Sequence, residues 1–285
     1  MAVDLIHEKE FVSRLIRPDT WIIAGHPVSA VTYLLIGGCT ALVIDPGEHV
    51  HSIHDYVRTI TGLPLIVANT HAHGDHTACN GQFKKYPIYA SASAVEELGR
   101  KRVDPDRYTT EVRYDYDYQA VPIGDGHVFD LGGRRVRAIA AGCHSEGSLF
   151  YYDEKYKLLF TGDELECGQV LIQGTIHGVR HSVERYRDNL LKVKQMAGEV
   201  DMICPEHNGS PADGSVLDAY IENCERIMSG QEGSKKIGSA TYLGPDDPRG
   251  PERVKELLSD PFSRRSEWKG SALVYSTNCI FLRDE

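Results

Sequence analysis

One short segment of the sequence concentrates side chains that bind metal ions: His71-Ala72-His73-Gly74-Asp75-His76. Neutral imidazole is the commonest metal ligand in proteins, and carboxylate joins it readily on zinc or iron. His71 and His73 can point to one side of a loop while Asp75 and His76 point to the other. This spacing therefore favours two adjacent metal ions over one, and an ordinary polar surface loop is the less favoured interpretation.

The elements that would position this segment follow from the apolar pattern. A short apolar run, residues 64–70, precedes the segment directly and predicts a buried strand. The metal-binding segment would then lie at the carboxyl end of a strand, where α/β sheets usually place their chemistry. Similar runs and helical patterns predict strands at 21–25, 31–36, 41–45, 88–90, 128–131, 134–140, 149–152, 157–160, 200–204 and 272–282, and helices at 49–61, 77–85, 92–101, 183–197, 213–229 and 251–258. Periodicity alone indicates a layered α/β protein.

Three later motifs extend the pattern of the first segment. They are the glycine-rich turn from Gly142 to Ser148, the turn Thr161-Gly162-Asp163, and the run from Ile203 to Gly209 that contains His207. The four motifs, in this order over roughly residues 20 to 230, resemble those of the metallo-β-lactamase superfamily. Glu146 stands where that family often has proline, which should alter the turn more than metal binding.

The resemblance implies a fold and a ligand set. The fold is α/β, a four-layer αββα sandwich, and we expect one domain over residues 1–285 with a loop-rich C-terminal extension from about residue 230. The implied cofactors are two zinc ions, although the same donors accept iron or manganese. The implied ligands are His71, His73 and His144 for the first metal, Asp75, His76 and His207 for the second, and Asp163 as a bridge.

The function implied by the resemblance is hydrolysis of a small ester, thioester, lactone or lactam. A metal-bound hydroxide would attack the carbonyl carbon, and Asp75 would steer a proton toward the leaving group. A mononuclear iron persulfide dioxygenase is an alternative, because two histidines and one aspartate suit oxygen chemistry. A non-catalytic sensor of the same fold is a third reading. The complete second-metal set favours hydrolysis, and seven intact ligand positions argue against the sensor.

The composition of the chain limits which kinds of partner it can bind. The 285 residues carry a net charge of −10, which disfavours nucleic acid, because binding to phosphates needs a basic surface. No stretch approaches the ~20 apolar residues of a membrane span, and the first ten residues lack a signal-peptide pattern. Seven scattered cysteines argue against a disulfide framework. We therefore predict a cytoplasmic protein with a small-molecule substrate, and the sequence leaves a homo-oligomer open.

Several residues outside the motifs are candidates for the substrate cleft. His177 and His181 follow the Asp163 turn and precede a predicted helix, so we predict that they bind substrate. His26 is placed beside a loop that could flank the site. The tyrosine-rich segment 108–118 is predicted to be a loop beside the site, with packing favoured over substrate stacking. The sequence also predicts a solvated helix face for His49, His51 and His54.

Overall fold

The structure is a computed structural model, and it describes residues 10–26, 29–103, 111–172, 181–231, 233 and 261–284. The chain divides into two compact units. The first contains residues 1–140 and 153–156, and the second contains residues 141–152 and 157–285. All seven cysteines are free thiols.

The first unit is built on a seven-stranded sheet whose strands follow one another in chain order. The strands are β1 (Phe11–Arg17), β2 (Thr20–Gly25), β3 (Thr32–Ile36), β4 (Ala41–Ile44), β5 (Leu65–Ala68), β6 (Ile88–Ser91) and β7 (Ala120–Ile123). Strands β1 to β4 pair antiparallel, and β4 to β7 pair parallel. Because β4 and β5 are parallel neighbours, the residues that follow them emerge at the same edge of the sheet.

Helices and a hairpin complete the first unit. They are α1 (Ile53–Ile60), α2 (Gly74–Thr77), a 3-10 turn (Ala78–Phe83), α3 (Ala92–Lys101), and the antiparallel strands β8 (Val128–Asp130) and β9 (Arg135–Ala140). Ser52 begins α1, since its hydroxyl accepts the backbone N–H of Asp55 at 3.2 Å. Ile53 and Val57, one turn apart, face the core of this unit.

The second unit contains two further groups of strands and two long helices. They are β10 (Leu149–Asp153), β11 (Leu158–Gly162), β12 (Val170–Leu171), α4 (Val183–Ala197), β13 (Met202–Pro205), β14 (Ala212–Asp213), α5 (Val216–Met228), β15 (Ser263–Trp268) and β16 (Ser271–Ser276). One group has the order β14-β13-β11-β10 and the other β12-β16-β15. Strands β11 and β13 are parallel, so their carboxyl ends also meet at one edge. Ser182 is the N-cap of α4, because its hydroxyl accepts the N–H of Arg185 at 3.0 Å.

Five of the described strands were not predicted. Strands β12 and β14 have only two residues each, and the other three are polar or contain a breaker. Strand β1 is an edge strand with exposed positions, and β7 is an edge strand that tolerates Pro122. Strand β15 has the polar sequence Ser-Arg-Arg-Ser-Glu-Trp and joins β16 through Lys269 and Gly270, whose φ angles of 47° and 89° suit a two-residue hairpin turn. The predicted final strand therefore ends at Ser276, and the extension beyond residue 230 contains a hairpin. The predicted helix 251–258 lies outside the described residues.

The helix predicted over 49–61 begins later than expected, and this changes the role of His49. His49 precedes α1 and is 2 % exposed, so the prediction of a solvated helix face is wrong for this residue. Its ring packs edge-on against Phe11, with 5.3 Å between ring centroids. Neither ring nitrogen has a hydrogen-bond partner among the described residues, and burial lowers the pKa of His49 to about 3.

Burial of a neutral His49 predicts a loss of stability in mild acid. The unfolded chain protonates this imidazole below about pH 6.5, whereas the folded chain resists protonation until about pH 3. Stability is therefore lost as the pH falls through 6.5, by about 2 kcal/mol between pH 7 and pH 5. Urea unfolding of the wild type and of His49→Leu, with chelator in every sample, should show a loss of stability between pH 7 and pH 5 that is smaller by about 2 kcal/mol in the variant.

The matched control is His51→Leu, at a neighbouring imidazole that is 44 % exposed. This variant should keep the pH dependence of the wild type. Equal pH slopes for the wild type and His49→Leu would show that His49 does not titrate on unfolding.

Candidate metal centre

Two predicted ligands, His71 and His73, lie in the loop that leaves β5. Both side chains are buried, and the Nε2 atom of His71 is 2.9 Å from the Nδ1 atom of His73. Two neutral ring nitrogens at this distance either share a proton or face a common cation. Their chemistry therefore suits a metal ion bound at the end of β5.

His76 is oriented by a buried carboxylate that follows β4. Its Nδ1 atom lies 2.9 Å from Oδ2 of Asp45, and a carboxylate only accepts, so Nδ1 carries the proton. The Nε2 atom is then the lone-pair donor, and it lies 3.9 Å from Oδ2 of Asp75. A carboxylate behind an imidazole fixes its tautomer and strengthens it as a ligand. His76 and Asp75 thus present donors to the same side.

Asp45 itself is saturated with donors. Besides His76, its oxygens accept the backbone N–H of Thr70 at 2.8 Å, the hydroxyl of Thr70 at 2.5 Å and the amide of Asn69 at 3.5 Å. Asp45, His71 and His76 have atoms capable of binding a metal within 4.8 Å of one another. Because Asp45 already accepts four hydrogen bonds, we assign it the role of orienting His76 and not that of a metal ligand.

A buried lysine holds the backbone between His71 and His73. Lys101, the last residue of α3, donates from Nζ to the carbonyl oxygen of Ala72 at 2.7 Å. Its ammonium is also 3.2 Å from Oε1 of Glu97, and both side chains are under a tenth exposed. A buried ammonium needs a charged partner, which Glu97 provides. Glu97 thereby keeps the ammonium of Lys101 in place to donate to the backbone between His71 and His73.

In the second unit, Asp163 faces two predicted ligands with different oxygens. Its Oδ2 lies 3.4 Å from Nε2 of His144, and its Oδ1 lies 3.4 Å from Nε2 of His207. The parallel strands β11 and β13 explain this meeting, since Asp163 and His207 follow their carboxyl ends. Ligand atoms about 3.3 Å apart are expected in a tetrahedral shell with bonds of about 2.0–2.1 Å. The arrangement therefore fits a carboxylate divided between two cations.

The loop that carries His144 is held by the buried carboxylate of Glu164. Its Oε1 accepts the backbone N–H groups of Cys143, His144 and Ser145 at 2.9, 2.8 and 3.1 Å. Burial raises the pKa of Glu164 to about 7, and the three backbone donors act in the opposite direction. Gly142 permits the tight turn, because a Cβ there would lie 2.1 Å from the carbonyl oxygen of Ser145.

The structure describes one of the two residues predicted to bind substrate. His181 is buried, with Nε2 3.3 Å from Oε1 of Glu146, and Arg185 lies 3.6 Å from the same oxygen. Glu146, at the position where the family often has proline, thus joins a charged cluster two residues beyond His144. His177 lies outside the described residues.

The described residues that were predicted to flank the site are buried or make polar contacts. His26 pairs with Glu111 at 3.2 Å. In the tyrosine-rich segment, Tyr116 and Tyr118 are buried, in agreement with the favoured packing role, and the hydroxyl of Tyr114 donates to Glu48. Tyr108 lies outside the described residues.

Sequence reasoning missed Asp45, Glu164 and Lys101. The sequence positions of the two acids could have identified them. Asp45 ends a predicted strand just before Pro46-Gly47, and Glu164 directly follows the proposed bridge. Acidic residues at strand carboxyl ends next to ligand loops are candidates for supporting the ligands. Lys101 gave no signal, because it ends an ordinary helical pattern.

The sequence matches a family model, and known proteins resemble it. The model of the metallo-beta-lactamase superfamily matches residues 26–207. An atrochrysone carboxyl ACP thioesterase, nsrC of Aspergillus novofumigatus, is 28 % identical over 80 % of this chain and 64 % of its own. The acyl-coenzyme A thioesterase MBLAC2 of Gallus gallus is 26 % identical over 49 % of this chain and 58 % of its own. The chain thus spans about three fifths of the length of these two relatives.

Solved structures share the fold of this chain. TMB-1 aligns with a TM-score of 0.57 at 17 % identity, covering 76 % of this chain and 98 % of that chain. The metallo-beta-lactamase FIM-1 from Pseudomonas aeruginosa aligns with a TM-score of 0.59 at 12 % identity, covering 76 % and 96 %.

The chain belongs to the metallo-β-lactamase superfamily, since the family model matches well over half of its residues. The predicted resemblance and the predicted αββα sandwich fold are confirmed. In the part of the chain that the structure describes, no helix is long and apolar enough to cross a membrane.

The contact from Lys101 to Ala72 predicts an effect on metal binding that can be separated from the effect of Lys101 on stability. Lys101→Met leaves Glu97 buried without its cation, which should cost about 3–5 kcal/mol of stability. It also frees the carbonyl of Ala72, and we expect zinc to bind about tenfold more weakly. Chemical unfolding and zinc titration against a chromophoric chelator measure the two effects.

The double variant Glu97→Leu/Lys101→Met is the matched control. It removes both charges, so it should recover most of the stability while zinc binding stays weak. Recovery of full zinc affinity in the double variant would limit Lys101 to a stabilising role.

Proposed function

We propose that the chain is a dinuclear zinc hydrolase that cleaves an acyl thioester. The observation that carries the proposal is the geometry of Asp163, whose two oxygens each lie 3.4 Å from a different imidazole. A residue that merely shaped a turn would not need to divide its oxygens in this way. The proposed ligands are those predicted from the sequence: His71, His73 and His144 for one zinc, Asp75, His76 and His207 for the other, and Asp163 between them.

The thioester class comes from the relatives. Two of them are named thioesterases, one for an acyl carrier protein substrate and one for acyl-coenzyme A. The wider class predicted from the sequence also includes esters, lactones and lactams. We place thioesters first because two relatives from different organisms share this chemistry by name.

The chain's own residues supply the positioning that such a reaction needs. A zinc pair, when bound, polarises a carbonyl and brings the acidity of water toward neutral pH. His71, His73 and His76 would supply ring nitrogens as ligands, and Nδ1–H of His76 donates to Asp45. Asp75, only 13 % exposed, is a carboxylate that can accept a proton from water and pass it to the leaving thiolate. His181 and Glu146, close to the His144 loop, would contact the substrate.

The remaining expectations form part of the same proposal. The family match from residue 26 to 207 runs through both compact units, which supports one catalytic domain. The substrate would be a small molecule or a small carrier-bound acyl group met in the cytoplasm. The net charge of −10 supports the exclusion of nucleic acid as a substrate.

Metal stoichiometry of an Asp163 variant tests the bridge. Asp163→Asn keeps the size and the turn propensity but removes the anion, so both metals should bind more weakly, the second more than the first. We expect about two zinc ions per wild-type chain and fewer than one per Asp163→Asn chain by elemental analysis after equilibration with buffered zinc. A fully metallated variant would rule out the bridge, and one iron per wild-type chain would favour the dioxygenase alternative.

Thioester hydrolysis tests the reaction. Acyl-coenzyme A turnover, followed through release of the free thiol, should fall by at least about 100-fold in His73→Ala, because a zinc ligand is lost. Circular dichroism should be unchanged, since His73 lies in a loop and not in the apolar core. His51→Ala is the control with an exposed imidazole, and it should keep full activity. Wild-type protein loaded with two zinc ions that hydrolyses esters or lactams but no thioester would overturn the substrate class.

A further inference from the structure

A chain of buried side-chain hydrogen bonds runs behind His76 to the tyrosine-rich segment. Tyr118 accepts a bond from the amide of Asn80 at 2.9 Å. Asn80 and Asn69 form a reciprocal amide pair, with N-to-O distances of 2.8 and 3.1 Å. Asn69 then donates to Asp45 at 3.5 Å, and Asp45 holds the Nδ1 proton of His76 at 2.9 Å.

The carboxylate of Asp45 sets the direction of every bond in this chain. A carboxylate only accepts, so Asn69 must present its NH2 group to Asp45. The carbonyl oxygen of Asn69 then faces Asn80, which donates to it from its own NH2 group. The second N–H of Asn80 points to the hydroxyl oxygen of Tyr118. The orientation of both amides is therefore dictated by the network.

Burial makes this network sensitive to the loss of any member. Asn69 and Asn80 are fully buried, and Tyr118 is 6 % exposed. Burial raises the pKa of Tyr118 far above its ordinary range, so its hydroxyl stays a neutral acceptor. Removing one partner leaves a buried polar group unsatisfied, and the neighbouring amide then gains by turning. An amide of Asn69 that turned its oxygen toward Asp45 would repel that carboxylate.

Asn80 comes from a different element than the groups it serves. It lies in the 3-10 turn that follows the metal-binding segment, whereas Asn69 follows β5 and Asp45 follows β4. The amide pair thus links the end of the ligand loop to its beginning. Tyr118 adds the segment that leads into β7.

We propose that Asn80 is a positioning residue for His76, acting through Asn69 and Asp45, with Tyr118 as the outer anchor of the network. The proposal rests on the proposed function for the assignment of His76 as a zinc ligand. Asn80 does not touch the metal or the substrate. Its role is to keep the Asp45 carboxylate turned so that Nε2 of His76 is the lone-pair donor.

The test uses two measurements on the full chain. In metal-free protein labelled with 15N-histidine, the Nδ1–H signal of His76 is identified by its loss in His76→Gln. Zinc affinity is measured by competition with a chromophoric chelator. The variants are Asn80→Leu, which removes both amide functions at similar size, and Tyr118→Phe, which removes only the terminal hydroxyl. The matched control is Tyr116→Phe, a buried neighbour whose ring lies 6.3 Å from that of Tyr118.

We expect Asn80→Leu to shift or broaden the His76 signal and to weaken zinc binding about tenfold. Tyr118→Phe should shift the signal in the same direction and weaken binding about threefold. Tyr116→Phe should change neither quantity. A merely structural role for Asn80 would lower the unfolding free energy and leave the His76 signal in place.

A folded Asn80→Leu protein with the wild-type His76 signal and zinc affinity would overturn the proposal. If Asn80→Leu does not fold, Tyr118→Phe decides, and an unchanged His76 signal in that variant overturns it. Both measurements are made without substrate, so they are independent of thioester hydrolysis. A wild-type chain that bound no zinc would defeat the proposed function, and the His76 signal of the metal-free protein would still test the positioning.

Discussion

The site depends on one constraint: imidazole donors buried at strand ends must be aimed by the protein, because water is not there to satisfy them. In the first unit this is done by Asp45, which takes four hydrogen bonds and fixes the tautomer of His76. In the second unit it is done by Glu164, which gathers three successive backbone N–H groups of the His144 loop. Each carboxylate is buried at the carboxyl end of a strand, and each accepts hydrogen bonds from backbone and neutral side-chain groups.

The ligand segments after β5, β11 and β13, unlike the His144 loop after β9, follow strands that have a parallel neighbour. Parallel neighbours deliver their carboxyl ends to one edge, so β4 brings Asp45 beside the loop of β5. Likewise, β11 and β13 bring Asp163 and His207 together. The supporting acids are thereby within one residue or two of their strands, where the backbone is rigid. A site on rigid strand ends keeps its geometry more closely than one on long loops.

The sequence was most informative where residue type and position carry the chemistry. The order of the four motifs predicted the family and the αββα fold, because seven side chains of the right type rarely coincide by chance. The strands predicted from apolar runs were found, whereas β1, β7 and β15 were missed, because edge strands can be polar or contain proline. His49 was misplaced because its environment depends on Phe11, which is distant in sequence. Support by Lys101 or Asn80 was invisible for the same reason: each acts through a tertiary contact that leaves no local pattern.

The buried charges also couple metal binding to folding. Asp45 and Asp75 in the first unit, and Asp163 and Glu164 in the second, are carboxylates that are 13 % exposed or less. The hydrogen bonds to Asp45 come from neutral groups, which do not cancel the charge of a carboxylate. Divalent cations would offset that charge, and a group that binds only the folded chain stabilises it by mass action. The carboxylates that orient the ligands therefore also raise the affinity for the metal ion. The same side chains thus contribute in two ways, by holding the imidazoles in position and by attracting the cation.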